Sequence, residues 1–308
     1  MRHVFIVNPA AGKTQKAVDL IPRIEAYFAE HGGEYEILTT EKPGDATELA
    51  REVCAKGIPV RLYACGGDGT LVETAAGVRD CAWAQLTAVP CGSANDYIRS
   101  FGTEADFMDL PRLIQGEARE VDGIRCGDYL SLNICAIGMD ATVAWKMVKY
   151  KHWPLVSGPM AYNLAVVDTF FHRLGVKQRV VMDTPEGQIV KEGHFLFSLA
   201  ASGQYYGGGY HAAPTSVPDD GLLDFVLVDK ISRLDILKFL GTYRPGKHLG
   251  LPIVHHCRGT RMEVVCETPA AVTADGECFE KDRITFELVR GAFRFVVPAA
   301  TAKVPATV

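Results

Sequence analysis

The chain has 308 residues, of which 48% are hydrophobic and 22% charged, and its formal net charge is −5. This length is about twice that of a typical domain, so we expect two domains, each with an ordinary hydrophobic core. The acidic balance argues against nucleic acid as a partner, because proteins that bind phosphate backbones usually carry a basic excess. No apolar run approaches the ~20 residues that span a bilayer, so we expect a cytoplasmic protein that is at most peripheral to a membrane.

The nine cysteines form no CxxC pair and no spacing typical of metal ligands. The consecutive side chains of His255, His256 and Cys257 should point in different directions, which argues against a metal site there. Free thiols are typical of a reducing compartment and again favour the cytoplasm. The first residues, MRHVFIVNPAAGK, have a strand pattern and lack the apolar region of a signal peptide.

The first third of the chain alternates strand and helix patterns. A continuous apolar run predicts a strand buried on both faces over residues 4–7, and further strands are predicted over residues 35–38, 60–65 and 86–89. Apolar residues at helical spacing predict helices between them, one of which begins at a capping-box pattern of Asp45 and Glu48. This alternation indicates an α/β domain with a parallel sheet over residues 1–122.

After about Asp122 the pattern changes to short strands and turns. GIRCGDYLSLNICAIG predicts a hairpin. KQRVVMDTPEGQIVKEGHFLFSLAASG predicts three short strands separated by turns at TPEG and at Glu192–Gly193, and four later segments predict one strand each. Helical patterns interrupt these strands at residues 141–151, 159–173 and 232–240. We therefore expect an antiparallel β-sandwich domain with helical insertions over residues 123–298, followed by a loosely held tail over 299–308.

The stretch GGDG, residues 66–69, ends the third predicted strand abruptly. Backbone N–H groups of the glycines, beside the start of the next helix, would bind an anion such as phosphate. Asp68 would repel phosphate, so we expect it to face a divalent cation, and Mg²⁺ on a nucleotide satisfies both features. Taken alone, a glycine-rich turn in which Asp68 caps the helix explains this segment equally well.

Two further loops should share this edge of the sheet. NPAAGK follows the first strand and supplies Gly12 and Lys13, while PCGSANDY follows the fourth strand and supplies Ser93 and Asp96. Ligands of open α/β sheets bind beyond the carboxyl ends of the strands. Neither loop matches a Walker A or GxGxxG pattern, but three such loops at one edge indicate a nucleotide site.

Seven motifs occur in order along the chain: NPAAGK, GGDGTLVE, PCGSANDY, GMDA, GGGYHAAP, DDGLLD and DGE. In this combination the chain resembles the bacterial diacylglycerol kinase family of soluble lipid kinases, which is related to sphingosine and ceramide kinases. GGDGT alone is shared with NAD kinases. The resemblance implies a Rossmann-like, NAD kinase-like α/β domain followed by an antiparallel β-sandwich, with the active site in the interdomain cleft.

The resemblance also implies ATP and Mg²⁺ as cofactors and gives roles to individual residues. The residues expected to contact ATP are Asn8, Lys13, Thr40, Gly66, Gly67, Asp68, Gly69, Thr70, Leu71, Val72 and Ser93. An acid network that organises the catalytic Mg²⁺ would consist of Asp68, Asp96 and Asp122, with Lys13 beside it.

The later motifs match a second metal site and the catalytic carboxylates of the family. A structural metal would be bound by Asp220 and by the backbone carbonyls of Val217 and Leu222. Asp275 and Glu277 stand where the family keeps its catalytic acid and base. We favour Glu277 as the base, and Asp275 remains the alternative.

These expectations describe an ATP- and Mg²⁺-dependent lipid kinase that transfers the γ-phosphate to a lipid hydroxyl, with diacylglycerol, which would give phosphatidic acid, as the first expectation. The alternatives are an NAD kinase-like phosphotransferase and a non-catalytic nucleotide- or lipid-binding module of the same fold. No motif identifies the acceptor lipid.

The expected partner is a lipid substrate at the membrane surface. Residues 144–155 mix Lys146, Lys149 and Lys151 with aromatic side chains, a pattern that can lie on an anionic membrane. A solvated helix face is the competing interpretation of this segment. An exposed edge of the β domain could also pair two subunits into a homodimer.

Overall fold

The computed structural model describes residues 1–12, 16–151, 153, 156, 158–171 and 174–300. The chain divides into two compact units. The first unit consists of residues 1–121 together with the chain from residue 291 onward, and the second unit consists of residues 122–290.

Strands and helices alternate from the N-terminus, as the apolar pattern predicts. These elements are β1 (Arg2–Val7), α1 (Lys16–His31), β2 (Tyr35–Thr39), α2 (Asp45–Ala55), β3 (Val60–Gly66), α3 (Asp68–Val78), β4 (Ala84–Pro90), a 3₁₀ helix (Tyr97–Ser100), α4 (Glu104–Met108) and α5 (Leu110–Ile114).

The remaining elements are mostly strands, with three longer helices among them. They are β5 (Glu117–Cys126), β6 (Tyr129–Ser131), β7 (Ile134–Gly138), α6 (Met139–Lys151), α7 (Gly158–Phe171), β8 (Val176–Thr184), β9 (Gly187–Ala201), β10 (Tyr205–Tyr206), β11 (Tyr210–His211), β12 (Leu223–Asp229), α8 (Arg233–Tyr243), β13 (Val254–Gly259), β14 (Arg261–Ala274) and β15 (Glu277–Val297).

The first unit is built on a parallel sheet in the order β2-β1-β3-β4. All residues of β3 and β4 are buried, which explains why their sequences are mostly apolar rather than alternating, with Arg61, Gln85 and Thr87 as buried polar exceptions. The rings of Phe5 and Tyr63, on neighbouring strands, stack with their centroids 4.2 Å apart. The strand order reverses between β1 and β3, and open α/β sheets bind ligands at such a point.

The second unit contains an antiparallel sheet in the order β13-β12-β9-β7-β14-β15, and β8 pairs with both β9 and β14. One face packs a hydrophobic cluster around Phe225, Met262 and Phe286. The other carries a cluster that includes Phe197 of β9 and Phe239 of α8. The predicted antiparallel β domain with helical insertions is confirmed.

Several local predictions were wrong. β9 runs straight through the predicted turn at Glu192 and Gly193, because Gly193 pairs in register with Gln178 of β8. Two strands therefore stand where three were expected. Conversely, β15 is one strand where two were predicted. The strand β13, whose residues include His255, was not predicted.

The capping box predicted at Asp45 and Glu48 is also wrong. The residue before α2 is Gly44, in a left-handed conformation with φ 91°, so this N-terminus has no side-chain capping hydrogen bond. Asp45 instead accepts the backbone amides of Glu41 and Lys42, at 2.7 and 3.0 Å, and so stabilises the preceding turn.

The last part of β15 makes its contacts with the first unit, since the chain from residue 291 onward groups with residues 1–121. The extent of the β domain, residues 123–298, stays a prediction. There Phe295 pairs in parallel with Leu86 of β4, and the hydroxyl of Thr87 donates to the carbonyl of Val296 over 2.8 Å. Among the described residues, no helix is long and apolar enough to cross a membrane.

Candidate active site

The three predicted loops follow β1, β3 and β4 and meet at the carboxyl ends of these strands. The amide of Asn8 donates to the carbonyl of Cys65 at 3.0 Å, and the amide of Cys91 donates to Gly66 at 2.8 Å. The side-chain amide of Asn8 also donates to the hydroxyl of Thr70 at 3.0 Å. The structure therefore brings together the N-terminal motif, the GGDG loop and the PCGSANDY loop within the first unit.

Two glycines allow this close approach of backbone to backbone. A Cβ on Gly92 would lie 2.4 Å from the Cα of Gly67, and a Cβ on Gly12 would lie 2.5 Å from the carbonyl oxygen of Cys91. Real side chains essentially never approach backbone this closely. The loops are packed so tightly that only glycine fits at these positions.

The GGDG loop presents the N-terminus of α3. The first helical hydrogen bond runs from the amide of Leu71 to the carbonyl of Gly67, at 3.1 Å, and no side chain of the described residues caps the helix. A Cβ added to Gly69 would meet nothing within 4 Å. The space beside Gly69 is therefore open, and the unpaired amides of a helical first turn, together with the positive end of the helix dipole, make such an end a suitable anion site.

Asp68 is fixed by the loop that follows β4. Its Oδ1 accepts the backbone amide of Asp96 at 2.7 Å and that of Tyr97 at 3.4 Å. Burial of the carboxyl group, and secondarily the charge of Asp96, raise the pKa of Asp68 to about 6, although the backbone hydrogen bonds oppose the shift. Two acids are therefore held close together in a position where their negative charge is poorly solvated.

Asp68 and Asp96 fit a Mg²⁺ ion bound together with a nucleotide. In the part of the chain that the structure describes, no three His, Cys, Asp or Glu residues are grouped so as to hold a metal alone. Mg²⁺ commonly uses only one or two carboxylates and takes its other ligands from substrate phosphates and water. A divalent cation would also offset the burial and the repulsion from Asp96 that together raise the pKa of Asp68.

The other residues predicted to bind nucleotide lie around these loops. Thr40 is buried at the end of β2, where its amide donates to the carbonyl of Val7 at 3.0 Å. Leu71 is buried in the core, Val72 is half-buried on α3, and Ser93 is exposed. Lys13, whose positive charge was predicted to lie beside the phosphates, is outside the described residues.

Asp122 belongs to the second unit and is tied to the loop that carries Asp220. Its Oδ2 accepts the amide of Gly221 at 2.7 Å, and its own amide donates to the carbonyl of Pro218 at 2.6 Å. The hydroxyl of Ser202 donates to the carbonyl of Asp122 at 3.0 Å. These contacts hold Asp122 in a fixed orientation.

The loop expected to bind a structural metal contains Val217, Asp220 and Leu222. Asp220 Oδ1 accepts the amide of Leu222 at 3.1 Å, and its Oδ2 forms an ion pair with Arg258. The metal assignment for the three loop residues stays a prediction. Arg258 is the feature that sequence reasoning missed, because it lies 38 positions from Asp220 on a strand that was not predicted.

Asp275 and Glu277 lie at the tight turn between β14 and β15. Asp275 and Gly276 both have positive φ angles, 50° and 99°, as a two-residue hairpin turn of the Asp-Gly type requires. The carboxylate of Asp275 accepts the amides of Leu132, Asn133 and Ile134, with shortest distances of 2.5, 3.1 and 3.0 Å. The turn is thereby anchored to the segment between β6 and β7.

The two acids of this turn are in different environments. Burial raises the pKa of Asp275, and hydrogen bonds from Ser131 and from the three backbone amides oppose the shift. Glu277 is exposed, and its carboxylate makes no hydrogen bond or ion pair with the described residues. Of the two, Glu277 has the carboxylate that is available to a substrate.

The structure also reveals a buried acid to which the sequence analysis gave no role. Asp140, in the GMDA motif, accepts the hydroxyl of Tyr206 at 2.6 Å, and burial raises its pKa to about 6. The hydroxyl of Tyr206 lies 3.0 Å from that of Tyr243. The signals in the sequence were the GMDA motif itself and an acid two residues beyond the apolar strand β7.

Comparison with known proteins agrees with this arrangement. Residues 2–126 match the family described as "Diacylglycerol kinase catalytic domain", and residues 133–297 match the "YegS C-terminal NAD kinase beta sandwich-like domain". The chain is 30% identical over 273 residues to "Probable lipid kinase YegS-like" of Pseudomonas aeruginosa (strain UCBPP-PA14), which covers 88% of this chain and 87% of that protein.

A second relative and a solved structure extend the comparison. "Diacylglycerol kinase" of Staphylococcus saprophyticus is 26% identical over 276 residues, covering 89% of this chain and 88% of that protein. The crystal structure of a diacylglycerol kinase from Bacillus anthracis str. Sterne superimposes with a TM-score of 0.71 at 21% identity, and covers 98% of both chains, which shows the shared fold. The chain therefore belongs to the family of lipid kinases that is defined by the diacylglycerol kinase catalytic domain.

Proposed function

We propose that this protein is an ATP- and Mg²⁺-dependent lipid kinase that transfers the γ-phosphate of ATP to a lipid hydroxyl, with diacylglycerol as the first candidate acceptor. The observation that carries the proposal is Asp68, which is held by two backbone amides at the uncapped N-terminus of α3. An anion site and an acid lie in the same loop, as a phosphate with its cation requires.

Phosphoryl transfer demands little covalent work from the protein, so catalysis consists of positioning and charge stabilisation. Mg²⁺, when bound, would neutralise the charge that develops on the transferred phosphate. The amides at the start of α3 orient the phosphates, and Asp68 and Asp96 orient the cation. The open space over Gly69 supports this, since phosphate oxygens must approach that backbone closely.

Glu277 is the proposed general base. Its exposed carboxylate is not engaged by the described residues and is therefore able to accept the proton of an attacking hydroxyl. Asp275 is the weaker candidate, because its carboxylate already accepts three backbone amides. We assign Asp275 the task of holding the turn in place.

The acceptor class rests on the relatives, whose names are lipid kinase and diacylglycerol kinase. Contact with a membrane is part of the proposal, because diacylglycerol resides there. The exposure of Trp145 and Trp153, at 40% and 50%, supports contact through α6 and the residues after it. Lys149 is exposed, whereas Lys146 pairs with Asp168 at 3.0 Å and contributes less charge; the side chain of Lys151 lies outside the described part of the chain.

The test of the function is transfer of labelled γ-phosphate from ATP to a panel of acceptors in mixed micelles. The panel contains diacylglycerol, monoacylglycerol, sphingosine, undecaprenol and NAD, each with and without Mg²⁺. We expect a labelled lipid that is lost without metal and in Asp68→Ala. Label on NAD alone would favour an NAD kinase, and binding of ATP without transfer to any acceptor would favour a non-catalytic module.

The membrane contribution has a separate test. We expect Trp145→Ala combined with Lys149→Glu to reduce sedimentation with vesicles that contain anionic phospholipid, while transfer to a short-chain, water-soluble diacylglycerol is unchanged. Unchanged vesicle binding would remove α6 from the proposed membrane surface. The kinase assignment would stand in either case.

A further inference from the structure

The guanidinium group of Arg258 joins two acids of the second unit. Arg258 lies on β13 directly opposite Asp224 of β12, and its Nε donates to Asp224 Oδ2 at 3.1 Å. Its Nη2 donates to Asp220 Oδ2. The strand register thus places the guanidinium between Asp220, near the end of the loop 217–222, and Asp224 on the strand that follows.

Asp224 is completely buried and has other partners that complete its hydrogen bonding. Its Oδ1 accepts the hydroxyl of Thr215 at 2.5 Å and lies 2.7 Å from Nε2 of His256. A buried carboxylate with no cation nearby would be strongly unfavourable, so Arg258 is part of what permits Asp224 to sit there. These contacts engage both carboxylate oxygens of Asp224.

Asp220, the acid that the family resemblance assigns to a structural metal, is in a similar position. One oxygen accepts the amide of Leu222 and the other pairs with Arg258. A second guanidinium, that of Arg290, packs against the same loop: a Cβ added to Gly221 would lie 2.9 Å from its Nε. A divalent cation at Asp220 would have to displace one guanidinium and face another.

The donor set also fits a guanidinium better than a hard cation. Ca²⁺ takes six to eight oxygens and Mg²⁺ about six. The one carboxylate expected to bind the ion, that of Asp220, already has one oxygen engaged by the amide of Leu222 and the other by Arg258. Arginine presents several donors in a rigid fork that matches carboxylates.

We propose that Arg258 replaces the structural metal ion in this chain, so that the loop 217–222 is fastened by a guanidinium and does not require a divalent cation. With Arg258 in place, the residues of this loop do not fit the ion that the resemblance implies. The proposal concerns only the second unit and is independent of the acceptor that the kinase phosphorylates.

The experiment compares thermal unfolding of nucleotide-free protein after chelation and dialysis, with and without millimolar Mg²⁺ or Ca²⁺. We expect wild type and Asp220→Asn to respond identically to metal, because any response would come from other sites. Arg258→Gln should lower the melting temperature by roughly 3–8 °C. Metal should restore part of that loss, and the restoration should disappear in the double variant Arg258→Gln/Asp220→Asn.

A matched control is Arg283→Gln, which removes an exposed arginine that is paired with Glu263 and should change the melting temperature by less than about 2 °C. If Arg258→Gln does not fold, Arg258→Lys replaces it in the experiment. Because Arg258→Lys keeps the positive charge, we expect this variant to fold without metal. The proposal is overturned if wild type retains one tightly bound divalent ion per chain after dialysis, by elemental analysis, and loses it in Asp220→Asn. It is equally overturned if metal raises the melting temperature of wild type but not that of Asp220→Asn.

Discussion

The backbone amide of Asp96 donates a hydrogen bond of 2.7 Å to the carboxylate of Asp68. The loop after β4 therefore fixes the carboxylate of Asp68, which belongs to the loop after β3. The GGDG and PCGSANDY motifs are thus joined by this hydrogen bond. Because the bond comes from the backbone, it does not depend on the side chain of Asp96. Each acid can be removed separately to ask what its charge contributes.

Removing the charge of Asp68 should abolish transfer while the fold persists. We expect Asp68→Asn to lower kcat by about 10³-fold, because the proposed cation loses a principal ligand while the amides of residues 96 and 97 keep an acceptor. The measurement is labelled phosphate transfer beside a melting curve. Asp80→Asn, an exposed change beyond the end of α3, is the control and should leave both unchanged. Near-normal turnover in Asp68→Asn would refute the role.

Asp68 also predicts a dependence of stability on pH in the metal-free protein. Its pKa is about 6 when folded and 3.8 in the reference state, so the folded protein holds the proton more tightly between these values. The contribution of Asp68 to the free energy of unfolding should therefore fall as pH rises from about 4 to about 6, and stay low above that. Urea unfolding across this range measures the free energy of unfolding of wild type and of Asp68→Asn. The value for wild type minus that for Asp68→Asn should decrease as pH rises.

Mg²⁺ should reverse part of that loss above pH 6, because the cation binds the ionised carboxylate in competition with protons. Its apparent affinity should fall by up to about tenfold for each pH unit below 6. An affinity that does not change between pH 5 and 7 would show that Asp68 is not a ligand.

The two acids of the β14–β15 turn should separate in their effects. Glu277→Gln should lower transfer by at least ~10²-fold and leave stability unchanged, because a base is lost and no contact is broken. Asp275→Ala should destabilise the fold by about 1.5–3 kcal/mol, because the charge-assisted hydrogen bonds from residues 132–134 are lost. Unfolding by urea and phosphate transfer distinguish the two, and the reverse pattern would make Asp275 the reactive group.

The glycines of the first unit should also behave differently from one another. Gly92→Ala should lower the melting temperature and weaken ATP binding, because its Cβ would meet the backbone of Gly67 at 2.4 Å. Gly69→Ala has open space around its Cβ, so it should keep the melting temperature and weaken only ATP binding. Calorimetric titration with ATP and melting curves test both. Unchanged ATP affinity in Gly69→Ala would place the phosphates elsewhere.

The sheet of the first unit and its loops could be predicted from the sequence because the signals are local. A strand buried on both faces is a continuous apolar run, and a glycine-rich stretch directly after it marks a close approach of backbone. The first helical hydrogen bond of α3 from the amide of Leu71 to Gly67 agrees with this interpretation of GGDG. The role proposed for Asp68 rests on its charge among groups that favour anions.

The roles of Asp275 and Arg258 could not be predicted from local sequence. Asp275 bonds to amides more than 140 positions away, and Arg258 pairs with an acid 38 positions away. Such contacts depend on strand register, and one strand involved, β13, has a polar sequence that gives no apolar signal. The turn predicted at Gly193 was wrong for the same reason, because pairing with β8 overrides the local preference of glycine.

The anchoring of the Asp275 turn has a consequence for how the proposed base is aimed. Glu277 follows Asp275 by two residues, and Asp275 is fastened to the peptide groups of Leu132, Asn133 and Ile134. The direction of the carboxylate of Glu277, the proposed base, is therefore set by a stretch of main chain that contributes no reactive side chain. We expect that inserting or deleting a single residue between β6 and β7 would change this direction while every motif of the sequence remained intact.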